Sequence, residues 1–327
     1  MNIPWVDKYR PVKLDHIIYQ NEVVRVLRDT IKTGELPNLL FYGPPGTGKT
    51  STILALGYEL FGPKIINDRI MELNASDERG IDTVRDKIMS FAKETICSPD
   101  PNYPCPPYKI IILDEADAIT LDAQSALRKI IETSSHITRF CFTCNYIEKI
   151  IEPIVSRCVK FRFKPISKQS IIDRLKLISI NEKIKITDEC YTKIYENSEG
   201  DARRAIMILQ NVKYVYNIKK NISIEDINNI LGTTQNDTLE EIWKNITTQK
   251  IKDVYKITQN IKNNCINLSD LLAFLNTKIL SSNIADNNKG EIICIIGNTE
   301  TRLIEGGDEF INILYCLSYI NFFYNNN

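Results

Sequence analysis

The chain has 327 residues, enough for two or three domains, and a composition of 43% hydrophobic and 25% charged residues supports sizeable cores. Lys plus Arg totals 41 and Asp plus Glu totals 41, so the formal net charge is zero. A protein that holds nucleic acid through an overall basic excess is excluded; such contact needs a local basic patch, or patches pooled from several subunits.

In chain order, Met1 to Lys8 lacks the basic-then-apolar order of a signal peptide. No run of 18 or more apolar residues follows, so an intracellular chain without a membrane span is expected. Short apolar runs at 39–42, 70–73, 110–113, 140–143 and 159–163 alternate with helical stretches, the pattern of an α/β domain with a parallel sheet covered on both faces. Residues 98–107 hold five prolines and read as an irregular loop. Cys141 and Cys144 form one C-x-x-C, but they lie in the apolar run 139–144 and no second Cys or His pair is near in sequence. Core cysteines are therefore expected rather than a metal site, and the odd total of nine argues against a closed disulfide framework. Helical spacing of Ile171, Arg174, Leu175, Ile178 and Ile180, and again of Ala205, Ile208 and Leu209, predicts a small all-α segment. A further helical region, rich in Ile, Asn and Lys, is broken at Gly306-Gly307 before a last apolar helix over 310–323. The expected domains are 1–165 (α/β), 166–232 (helical lid) and 233–327 (helical collar).

Gly43-Pro44-Pro45-Gly46-Thr47-Gly48-Lys49-Thr50 fits the phosphate-loop pattern G-x-x-x-x-G-K-[ST], between a predicted strand and an apolar helix. Glycines there let backbone N–H groups turn inward around phosphate oxygens, and the helix adds its positive end. Lys49 is the predicted partner of the β and γ phosphates, and Thr50 of Mg²⁺; Ser51 completes the nucleotide-binding set, with ATP as the nucleotide. The strand 110–113 ends in Asp114 and Glu115. Asp114 is predicted to hold the metal, and Glu115 to polarise the attacking water. Acidic residues also favour a helix N-terminus, and the two roles are compatible.

Further motifs carry a resemblance. Residues 4–11 (PWVDKYRP), 72–80 (ELNASDERG), Ser156-Arg157-Cys158 and 200–205 (GDARRA) are similar to signatures of the small subunits of replication factor C, the eukaryotic sliding-clamp loader of the AAA+ ATPases. The stretches 105–109, 144–146 and 161–165 narrow the resemblance to one branch of those subunits, and the likeness is weakest after residue 233. Ala202 stands where the family usually has a larger apolar residue.

The resemblance implies an α/β P-loop AAA+ domain, an all-α lid and an all-α collar, in a nuclear hetero-pentamer that loads the clamp PCNA onto primer-template DNA. It implies that Val6 and Arg10 lie at the adenine and ribose end, and that Asn145 and Arg203 reach the γ phosphate. Arg157 would act as an arginine finger at the neighbouring subunit's ATP. Read alone, Asn145 is a turn residue, Arg203 a helix-surface charge and Arg157 solvated surface. Arg79, Arg85 and Lys87 lie around a helix start and suit a phosphate backbone, or equally a solvated helix face; the resemblance favours DNA. The clamp is expected on the side carrying Phe91. Two other readings use the same residues: a stand-alone AAA+ motor, and a scaffold subunit that binds ATP and lends Arg157 but hardly hydrolyses.

Overall fold

Five strands form one all-parallel sheet: β1 (Leu39–Tyr42), β2 (Ile70–Asn74), β3 (Lys109–Asp114), β4 (Thr138–Cys144) and β5 (Val159–Arg162), in the order β2-β3-β4-β1-β5. The computed structural model describes residues 3–17, 20–75, 87–92, 99–134, 137–216, 222–232 and 236–325. Successive strand residues face opposite sides, so a sheet covered on both faces needs unbroken apolar runs. Leu39 and Phe41 of β1, with Ile110 and Ile112 of β3, enter the core under α2 (Asn21–Thr33) and α3 (Lys49–Arg69). Leu40, Ile111 and Leu113 enter the opposite core, under α5 (Leu121–Ser134) and the helical residues 87–92, α4. Ile88 and Phe91 of α4 are buried there, as their apolarity predicts. Cys141 and Cys144 are both 1% exposed, but an odd spacing sends them to opposite faces, so they cannot share a metal ion.

Parallel strands gather their carboxyl ends on one side. The loop after β1 (43–48), the acidic pair after β3 and Asn145 after β4 therefore converge, where open α/β sheets hold ligands.

After α6 (Glu152–Val155) and β5 come three lid helices, α7 (Lys168–Asn181), α8 (Asp188–Ser198) and α9 (Ala202–Tyr216). Ile171, Leu175 and Ile178 of α7, and Ala205, Ile208 and Leu209 of α9, are buried as their spacing predicts. Ile180 is not: it is 77% exposed, because two residues past Ile178 is about 200° around the helix. Arg174, also on the predicted stripe, is half-buried and donates to the Tyr9 carbonyl.

The N-terminal helix α1 (Trp5–Lys8) packs on α9, where the Trp5 N–H donates to Gln210 Oε1 at 3.0 Å. Glu182, just after α7, ties this segment down. Its carboxylate accepts from Lys8 Nζ at 2.6 Å, Tyr9 OH at 2.7 Å and Lys213 Nζ at 2.7 Å.

The chain packs as two compact units, residues 1–223 and 224–327. The second comprises α10 (Ile224–Leu231), α11 (Asn236–Thr248), α12 (Ile251–Asn263), α13 (Leu268–Ser281), α14 (Asp286–Ile304) and α15 (Glu309–Asn325). By contacts, α10 thus groups with the last unit, whereas the sequence reading ends the lid at residue 232. Its core includes Ile246, Leu275, Ile292 and Leu317. Buried Asn321 is satisfied by the carbonyls of Ile246 (2.6 Å) and Gln249 (2.8 Å). The turn at Gly306-Gly307 closes α14 through a 2.8 Å bond from the Gly307 N–H to the Arg302 carbonyl. Asp308 then caps α15 by accepting from the Ile311 N–H at 2.8 Å. No helix among the described residues is long and apolar enough to cross a membrane.

Candidate nucleotide site

The loop after β1 is shaped by glycines that no other residue can replace. Gly43 has φ 143°, and a Cβ there would sit 2.2 Å from the Phe163 carbonyl oxygen. Gly46 has φ 65°, and a Cβ there would sit 1.7 Å from Asp201 Oδ1. Positive φ and absent room together require glycine. Thr47 is 2% exposed and its hydroxyl donates to the Pro44 carbonyl at 2.9 Å, bracing the loop from inside, while Pro44 and Pro45 stay exposed. Lys49, at the start of α3, is 8% exposed. Its ammonium donates to the carbonyls of Gly43 (2.8 Å) and Pro44 (2.9 Å) and to Asn145 Oδ1 (3.0 Å). Burial pushes its pKa down, and the charges of Asp114, Asp117 and Asp201 oppose that push.

Asp114, at the tip of β3, accepts three bonds. Thr50 Oγ1 donates to Oδ2 at 2.8 Å, while the Glu115 N–H (3.1 Å) and the Thr143 hydroxyl donate to Oδ1. Glu115 is exposed and held at φ 53°, ψ 40°, a left-handed conformation costing a non-glycine residue roughly 1–2 kcal/mol. Such strain is characteristic of functional positions, and it turns the chain away from the strand line just where the acidic side chain emerges. Asp117 Oδ2 accepts from the backbone N–H groups of Asn145 and Tyr146, both at 3.3 Å, and so fixes the turn that presents Asn145 to Lys49.

These residues fit a nucleotide triphosphate with a divalent cation. The loop has space only glycine leaves, a buried ammonium lies beneath it, and a hydroxyl and a carboxylate stand side by side as hard oxygen donors. Ser51 is half-buried in the first turn of α3. The lid reaches the same loop: the Ala202 N–H meets the Gly46 carbonyl at 3.3 Å, and Asp201 caps α9 by accepting from the Arg204 N–H at 3.0 Å. Arg203 is exposed in that first turn. Val6 and Arg10 are half-buried in and just after α1.

Arg157 is set apart. It lies two residues before β5, and Val159 pairs with Leu39 while Arg162 pairs with Tyr42. The phosphate loop leaves β1 beyond Tyr42, so Arg157 sits at the opposite end of the sheet, at least ~13 Å away for four strand residues of about 3.3 Å each. Its side chain is 35% exposed. Lys87 is exposed on α4; Arg79 and Arg85 lie outside the described residues.

Thr143, Asp117 and Asp201 were absent from the predicted site. Asp117 carries a faint signal, three residues after Asp114, and Asp201 lies inside the glycine-flanked lid motif; Thr143 reads only as one more strand residue. Gln124 was missed as well. It is 1% exposed and fully engaged, donating to the carbonyls of Ile119 (3.1 Å) and Lys149 (3.0 Å) and accepting from the Ile151 N–H (2.8 Å).

Comparison with known proteins agrees with this architecture. Residues 39–166 match the AAA family (ATPase family associated with various cellular activities), and residues 222–319 match the replication factor C C-terminal domain. Replication factor C subunit 2 of Saccharomyces cerevisiae is 44% identical over 96% of this chain and 91% of its own length. Replication factor C subunit 4 of Homo sapiens is 42% identical over 95% and 86%. Among solved structures, the Thermotoga maritima RuvB Holliday junction branch migration motor superposes with a TM-score of 0.55 at 18% identity, covering 73% of this chain and 80% of that one. This likeness shows the fold alone. With an AAA nucleotide site at one end and a replication factor C domain at the other, the chain is an ATPase of the replication factor C small-subunit family, in the branch of yeast subunit 2 and animal subunit 4.

Proposed function

We propose that this chain works in the nucleus as one subunit of a hetero-pentameric replication factor C ring, which binds ATP and Mg²⁺ and places the clamp PCNA on primer-template DNA. Within that ring it hydrolyses ATP at its own phosphate loop and completes the neighbour's site with Arg157. The observation that carries the proposal is the separation of Arg157 from its own loop. An exposed arginine at the far end of the sheet is remote from its own phosphate loop, which supports a role at an adjoining subunit's nucleotide rather than at its own.

In the proposed division of labour, the backbone of 43–48 and Lys49 bind the phosphates, and Thr50 and Asp114 hold the cation. Mg²⁺ bound there would neutralise charge on the β and γ phosphate oxygens. Glu115 accepts the proton of the attacking water, and Asn145 orients the γ phosphate. Asn145 shares a hydrogen bond with Lys49, which sets the two polar groups side by side at the mouth of the loop. Arg203 approaches from the lid, whose α9 begins against Gly46. Val6 and Arg10 line the base and ribose end, beside the same lid. Arg79, Arg85 and Lys87 contact the DNA backbone without reading sequence.

Arg157→Ala in the assembled complex tests the proposal, with every phosphate loop except the neighbour's disabled by Lys→Ala. Turnover at the neighbour's site should fall by about three to five powers of ten, while a second complex that carries Arg157→Ala but keeps Lys49 should bind ATP at this chain's own loop with unchanged affinity. Undiminished turnover, or loss of nucleotide affinity at this chain's own loop, would refute the trans-acting role.

A further inference from the structure

The Arg157 guanidinium does not hang loose. Its NH1 donates to the Pro153 carbonyl at 2.7 Å, at the start of α6, and its NH2 donates to Glu132 Oε1 at 2.6 Å, in the last turn of α5. The same carboxylate oxygen accepts from Arg128 Nε, one turn back, at 3.2 Å. Glu132 is therefore clamped along its own helix before Arg157 reaches it. Its carboxyl is held below the ordinary range by Arg128 first, with Arg157 contributing, against the opposing effect of desolvation.

An arginine side chain has substantial rotamer entropy to lose when it is fixed, and a finger must place its fork within a fraction of an ångström of the developing charge. Two anchors, one backbone and one carboxylate, settle most of that freedom in advance. They occupy two of the five guanidinium N–H donors, so three remain to face a neighbouring subunit. We propose that Glu132 is a positioning residue for the arginine finger: with the Pro153 carbonyl it fixes the Arg157 guanidinium on its own subunit before the interface closes, without using up its donors. This rests on the trans-acting reading of Arg157. It assigns work to a residue whose position on an exposed helix face otherwise marks it as ordinary surface charge.

The alternative is restraint. A carboxylate against the finger also neutralises part of its charge, and under restraint Arg157 would have to leave Glu132 in order to act; the test separates the two. The complex carrying this chain is assembled with only the neighbour's phosphate loop intact, and ATP turnover is measured for Glu132→Ala, Glu132→Gln, Arg128→Ala and Arg157→Ala. Exposed ion pairs are weak, so Glu132→Ala should lower kcat at the neighbour's site about 1.4- to fivefold with KM unchanged. Glu132→Gln keeps an acceptor oxygen in place and should restore most of that loss. Arg128→Ala loosens the clamp on Glu132 but keeps the Glu132–Arg157 contact, so its fall should be smaller than that of Glu132→Ala. A rise in kcat with Glu132→Ala would show restraint and overturn the proposal. So would an unchanged kcat, or an equal fall with Arg128→Ala, which would indicate general damage to α5. If Arg157→Ala itself leaves the neighbour's turnover intact, the finger reading falls and takes this one with it; if Arg157→Ala abolishes turnover and Glu132→Ala does nothing, only the positioning role is lost. Melting curves and subunit stoichiometry for each variant separate these outcomes from misassembly.

Discussion

Glu182→Gln should detach the N-terminal segment from the lid, and pH should reveal why. The Glu182 side chain is 8% exposed and receives Lys8, Tyr9 and Lys213 within 2.7 Å. Burial alone would raise its pKa, but the bonds from Lys213, Lys8 and Tyr9 outweigh that effect and bring it down from 4.5 to about 2. At 1.36 kcal/mol per unit, this sets a ceiling of roughly 3 kcal/mol on the network's contribution. Lys8 is 51% exposed, and solvent screening brings the working value to about 1–2 kcal/mol. Because the folded pKa is depressed, the contribution is complete above about pH 4.5 and is lost as pH falls toward 2. The chain has two tryptophans, so in a Trp243→Phe background buried Trp5 alone reports undocking. Urea titration of its fluorescence should show the Gln variant about 1–2 kcal/mol weaker at pH 7, with the gap narrowing by pH 3.5. Equal stability at pH 7 would refute the reasoning, as would a gap of the same size at both pH values.

Three further outcomes follow from the site. Lys49→Ala should abolish ATP binding at this loop in calorimetry, since it removes the buried ammonium beneath the phosphates. Thr143→Val should raise the Mg²⁺ concentration for half-maximal turnover by about 10–100-fold, because Asp114 loses a donor that orients it, while ATP affinity measured without metal is retained. Replacing Arg79, Arg85 and Lys87 together with Ala should weaken binding of the assembled complex to primed DNA and flatten its salt dependence by about one unit of slope per lost phosphate contact, leaving clamp binding in the absence of DNA intact.

Much of the α/β region was legible because its signals are local. Every predicted strand appears, displaced by no more than two residues at either end, since a parallel strand covered on both faces must be apolar throughout. The phosphate loop and Asp114–Glu115 were readable for a similar reason: the chemistry fixes residue types at fixed short spacings. What escaped is long-range. Glu182 meets Lys8 across 174 positions and Thr143 meets Asp114 across 29, and neither pairing leaves a periodic trace. Ile180 was misplaced because an apolar residue can continue a run without continuing its helical stripe. Glu132 illustrates the converse. An i,i+4 partner in Arg128 makes it look like self-sufficient helix surface, and the structure adds a third member from 25 residues away.

The lid is held at two places of unequal strength, and the inequality decides how it can move. At the phosphate loop the lid makes the 3.3 Å backbone bond between the Ala202 N–H and the Gly46 carbonyl, with the Asp201 side chain packed against the glycine. A neutral bond of that length is worth no more than about 1 kcal/mol. At the N-terminal segment the lid's Glu182 accepts two charge-assisted bonds, from Lys8 and Tyr9, Gln210 accepts from the Trp5 N–H, and Arg174 donates to the Tyr9 carbonyl. Hydrogen bonds to charged groups are each worth about 1.5–3 kcal/mol before solvent screening. If the lid were to shift against the sheet, the Gly46 contact would yield before the bonds that hold α1 to α7 and α9. Val6 and Arg10 belong to the α1 segment, whereas Lys49, Thr50 and Asp114 belong with the sheet. If Val6 and Arg10 take the base end as proposed, a bound nucleotide would join that segment to the sheet, and its length would limit how far the two can part.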